Sequence, residues 1–131
     1  MNNISHPIRN QFQQMLATKE QYNKLVSNHE ANINGDKDHA PVIKLFTPMG
    51  AATWLLSELD PHTGIAFGLC DLGMGFPELG SVSLVELSEL TFPNHVERDQ
   101  HIELVNTGLG NYASQSHDSI NLSPMVSSRS R

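Results

Sequence analysis

Glu58 and Asp60 stand two residues apart, just behind Trp54 and Leu56 in a run of strand-forming side chains. In an extended strand that spacing puts all four on one face, with the carboxylates at the rim of an apolar patch. Asp71 and Glu78 follow the next apolar run, from where they can approach across a hairpin. Converging carboxylates bind a divalent cation, or raise the pKa of one member for acid–base work. On that reading the chain is a small metal-dependent enzyme built on Glu58, Asp60 and Asp71. The competing reading is a strand end that exposes its acids to water.

Other reactive side chains give weaker patterns. His62, His95 and His101 fall in turns or in the last segment. His95 and His101 are six apart, which is not the spacing of a zinc pair. His29, His39, Asp36 and Asp38 belong to a polar loop without preorganised ligand geometry. Gly73-Met74-Gly75 lacks the Lys-Ser/Thr of a phosphate loop and the third glycine of a dinucleotide fingerprint. No Gly-x-Ser-x-Gly elbow is present, and Ser57, Ser81 and Ser83 have structural explanations. Cys70 lies in an apolar run with no adjacent cation, as a buried packing thiol would. These patterns assign no catalytic residue, no metal ligand and no cofactor. Arg98, between Glu97 and Asp99, either clamps Glu78 or Glu86 in a bidentate pair or anchors a substrate anion.

The elements that must position these groups follow from periodicity. Pro7 to Val26 reads as an amphipathic helix, with Ile8, Phe12, Met15, Leu16, Tyr22 and Val26 along one stripe. Ser5 caps it, and Pro7 suits its first turn. Ser27 to Ala40 is a polar loop with Asn34-Gly35 turn chemistry. The period then changes to two: strands are expected at Val42–Thr47, Thr53–Leu59 and Ile65–Leu72. Asp60-Pro61-His62-Thr63-Gly64 joins the last two as a tight antiparallel connection. Gly73, Gly75 and Pro77 break the sheet before a short strand, Glu78–Val82. Ser83-Leu84-Val85-Glu86 matches a capping box, opening a short helix with Leu84, Leu87 and Leu90 inward. Val96–Val105 adds a last edge strand. The expected fold is α+β: a mainly antiparallel sheet of four to five strands, an N-terminal helix and one short helix. Residues 1–105 form one domain, and the Ser- and Asn-rich 106–131 is a tail with too little apolar surface to order.

Charge decides the class of partner. The formal net charge of the 131 residues is −6. Leu45–Leu104 holds nine carboxylates (Glu58, Asp60, Asp71, Glu78, Glu86, Glu89, Glu97, Asp99, Glu103) and one cation, Arg98. Such a surface repels nucleic-acid phosphate and attracts basic protein surface. Glu58, Asp60, Asp71, Glu78 and Glu89 are the expected contacts, with Trp54 or Phe76 as an apolar anchor if exposed. No apolar run reaches membrane-spanning length, and the N-terminus lacks signal-peptide character, so a cytoplasmic location is expected.

The succession Leu45-Phe46-Thr47-Pro48, Thr53-Trp54, Glu58-Leu59-Asp60, Phe67-Gly68-Leu69, Glu78-Leu79-Gly80, Ser83-Leu84-Val85-Glu86-Leu87 and Glu97-Arg98-Asp99 resembles a bacterial family, domain of unknown function 2958. The resemblance spans Ile8 to Glu103. Ile102 stands where the family pattern places an aromatic, and the tail lies outside the pattern. The resemblance implies a small protein of plasmids, integrative elements and phages, and carries over no catalytic residues. With the charge, it leads to an expected role as an acidic accessory factor of a mobile element. Its sharpest form is a counter-defence inhibitor, anti-CRISPR or antirestriction, occupying a basic nucleic-acid-binding surface of a host protein or ribonucleoprotein.

Overall fold

The computed structural model describes residues 16–113. It is an α+β fold around one five-stranded sheet. Helix α1 spans Lys19–Ala31. Strands β1 (Ile43–Phe46), β2 (Thr53–Leu59), β3 (Ile65–Asp71) and β4 (Glu78–Ser83) follow. Helix α2 (Leu84–Ser88), strand β5 (Glu97–Arg98) and helix α3 (Leu109–Ala113) complete the order. Every pairing is antiparallel, in the order β4-β3-β2-β1-β5.

The β2–β3 hairpin forms as its turn residues require. Asp60 N–H donates to Ile65 O at 2.9 Å, and the Asp60 carboxylate accepts from His62 N–H at 2.9 Å. Gly64 takes φ +76°, a conformation that a side chain would strain. Gly68 is required for a different reason. A Cβ there would meet the Leu55 carbonyl and lie 2.7 Å from Leu56 Cα, so only glycine lets β2 and β3 approach.

The helix differs from the expected Pro7–Val26. Leu16 is helical, Ala17 and Thr18 leave the helix, and α1 starts afresh at Lys19. Thr18 Oγ1 accepts from Gln21 N–H at 3.1 Å, and the Gln21 side chain accepts from Thr18 N–H at 2.9 Å. This complete capping box starts α1 at Lys19. Pro7 to Met15, with the Ser5 cap, lies outside the described residues. The expected loop from Ser27 begins later, because α1 continues to Ala31 and buries Asn28. By contrast, the cap on α2 is one-sided. Ser83 accepts from Glu86 N–H at 3.1 Å, but Glu86 makes no return bond among the described residues.

Two cores sandwich the sheet. Leu25, Ile43, Leu45, Trp54, Leu56, Leu59, Ala66, Leu84 and Leu87 pack under α1 on one face. Leu55 and Leu69 on the opposite face are covered by Leu109 and Tyr112, with Leu104 and Val105 beside them. The second core corrects the boundary expected at residue 105. Residues 106–113 are a strap across the sheet, and the remainder of the expected tail lies outside the described residues. Polar anchors tie the strap down. The Asp38 carboxylate accepts from Gly110 N–H at 3.0 Å, and Tyr112 donates to Val105 O at 2.8 Å. The expected Val96–Val105 strand shrinks to Glu97–Arg98, since the chain must leave the sheet edge to reach that second face.

Candidate docking surface

Alternation along β2 is broken at one point. Leu56 pairs with Gly68 and Glu58 with Phe67, which leaves Ser57 as an extra residue. Asn28 of α1 reaches this bulge and donates to Ser57 O at 2.9 Å. Past it the faces exchange. Leu59 joins Trp54 and Leu56 in the helix-side core, while Glu58 turns to the face of Phe67 and Leu69. Glu58 therefore does not share a face with Trp54, contrary to the expectation from unbroken period two.

The expected carboxylate cluster does not assemble. Antiparallel pairing sets Glu58 against Phe67 and Asp71 against Thr53, at opposite ends of the hairpin. Asp71 is thus about 13 Å along β3 from the position facing Glu58. Asp71 is fully buried and accepts from Gly73 N–H at 2.9 Å. Glu58 is 8% exposed and accepts from Asn32 Nδ2 at 2.7 Å. Asp60 is half-buried at the turn, 3.9 Å from His29 Nε2. Glu78 opens β4, beside Cys70 in register and on the face opposite Asp71. Glu89 is exposed just past α2. Among the described residues, no three His, Cys, Asp or Glu side chains converge on a point that would hold a metal ion. The acids do not form one continuous face, because structural hydrogen bonds take Glu58 and Asp71 inward.

Arg98 cannot reach Glu78 or Glu86 as expected. It pairs with Leu45 on β5, across the whole sheet from β4, about 19 Å by strand spacing. The cation that is engaged internally is Lys44, whose ammonium lies 3.8 Å from the Asp99 carboxylate. Burial holds its pKa below the usual lysine value, and Asp99 works in the opposite direction. Cys70 packs half-buried against the helix-side core, and burial pushes its thiol pKa up, away from nucleophilic use.

Several large apolar side chains also face outward. Of the two expected anchors, Trp54 is core at 7% exposure and Phe76 is 81% exposed. Leu72 and Met74 project from the same β3–β4 connection, where Gly73 and Gly75 take positive φ. On the sheet Leu79, near them, and Ile65 and Phe67, toward the hairpin end of β3, are also uncovered. At the hairpin end, His29, Glu58, Asp60, Ile65 and Phe67 line a recess of about 180 Å³. That is small beside the several hundred Å³ of a typical small-molecule site. The sequence signal for Met74 was present: an apolar residue between two glycines that break a sheet has no core to enter.

The model of the protein family described as "Protein of unknown function (DUF2958)" matches residues 16–122. The chain belongs to this family. The match begins later than Ile8 and passes Glu103, so the family domain includes the strap that covers Leu55 and Leu69. No curated protein and no solved structure matches the chain significantly. No helix among the described residues is long and apolar enough to cross a membrane.

Proposed function

We propose that the protein is an acidic protein-binding accessory factor that docks through the β3–β4 side of its sheet. One observation carries this reading. Met74, Phe76 and Leu79 stand exposed in a stretch, residues 45–97, that contains no Lys or Arg. Exposed apolar anchors in a stretch whose carboxylates have no Lys or Arg to offset them suit a partner with basic rims around an apolar seat. The acids that contribute are the exposed Glu78, Glu86 and Glu89, with Asp60 at the far end of the hairpin. Glu58, Asp71 and Trp54 support the scaffold and are not contacts.

In its sharper form, the role is that of a cytoplasmic counter-defence inhibitor carried by a mobile element. There it covers the basic nucleic-acid groove of a restriction or CRISPR complex. Binding to purified complexes of both kinds, at low and high salt, tests it. The expected result is salt-weakened binding that falls about tenfold or more in a Met74→Ser/Phe76→Ser double variant. Binding indifferent to salt and to that variant would overturn the reading.

A further inference from the structure

β4 is an edge strand of unusual openness. Among the described residues nothing pairs with its outer side. It meets β3 in six unbroken pairs, without the bulge that distorts β2. Its sequence, Glu78-Leu79-Gly80-Ser81-Val82-Ser83, contains neither proline nor lysine, and the space at the Gly80 Cβ position is empty. Natural edges are usually blunted by shortness, Lys, Pro or a bulge. The opposite edge obeys that rule, since β5 is two residues long. β4 has none of these devices.

We infer that the outer edge of β4 receives an extended segment of a partner protein, rich in alternating basic and apolar residues, as a sixth strand. The inference rests on the docking role proposed above and assigns its binding mode. Backbone pairing along six residues supplies affinity, and side chains alternating across the new strand supply specificity. On one flank, Leu72, Met74, Phe76 and Leu79 line a recess able to seat apolar side chains. Charge is set by Glu78 at the start of the strand and by Glu86 and Glu89, which lie exposed on and just past the helical turn into which it runs. A second copy of the chain is the poorer occupant. Two-fold antiparallel pairing of β4 with itself brings Glu78 of each copy toward the Glu86 end of the other, and like charges then meet at both ends.

The test uses the full chain and two synthetic peptides matched to the six residues of β4, each alternating lysine with valine. The second peptide carries N-methyl groups on alternate amides, which keeps its charge but removes its ladder donors. Fluorescence anisotropy is expected to show the plain peptide binding, and the methylated one binding about tenfold more weakly or worse. Hydrogen exchange should slow at β4 amides, and Glu78→Lys/Glu86→Lys should weaken the plain peptide. Equal binding of the two peptides overturns strand addition while leaving charge-guided docking intact. Binding of neither peptide, protection gained only at β5, or a β4-protected homodimer also overturns it. The salt and Met74/Phe76 experiment judges the docking role separately.

Discussion

Tyr112 ends its side chain inside the second core, 1% exposed, with its hydroxyl bonded to Val105 O. Burial pushes its pKa from the ordinary 10.0 up to about 12, with the bond to Val105 acting in the opposite direction. The folded chain thus holds this proton more tightly than the unfolded chain does. That stabilisation is complete below pH 10 and is lost as the pH climbs to about 12. Unfolding free energies from urea titrations across this window should fall more steeply for the natural chain than for Tyr112→Phe, by roughly 1.4 kcal/mol per pH unit at most. Lys44 contributes with the opposite sign, because a lowered lysine pKa favours the fold as the pH rises through it. At this scale the sequence was an uneven guide. It placed Cys70 in packing, yet it treated Trp54 as a candidate exposed anchor and Glu58 and Asp71 as surface acids. Their partners, Asn32 and the Gly73 amide, become visible only once α1 and the β3–β4 turn are placed.

Elements were more legible than the contacts among them. β2 appears with its expected bounds, and the Asp60–Gly64 turn forms for the reasons its residue types give. Local chemistry determines both. α1 was misjudged because a stripe of apolar residues at helical spacing runs through Thr18, while Thr18-Lys19-Glu20-Gln21 quietly carries a complete cap. Periodicity reports which face is buried; it does not report where hydrogen bonds restart. Thr18→Ala removes the acceptor for Gln21 N–H and should cost about 1 kcal/mol in urea unfolding. An unchanged midpoint would mean that packing of Leu25, rather than the cap, positions the start of α1.

The molecule as a whole is a sheet held between two dissimilar layers. The α1 side was foreseeable from the amphipathic pattern. The strap side was not, because a sparse polar segment with two large side chains, Leu109 and Tyr112, resembles a solvated tail. Its order comes from a contact far away in sequence, the Asp38 carboxylate on the Gly110 amide. Leu109→Ala should therefore behave as a core mutation and cost about 2–5 kcal/mol by denaturant titration. A loss under about 0.5 kcal/mol would show the strap to be dispensable. The bulge at Ser57 has a consequence of its own for how such a chain can change length. Upstream of it even-numbered positions look inward to the helix, and downstream odd-numbered ones do. Dropping Ser57 alone would erase the bulge and keep the phase, leaving Glu58 beside Phe67 and Leu59 in oil. Loss of two would invert the parity of everything that follows in the strand and carry Leu59 out of it.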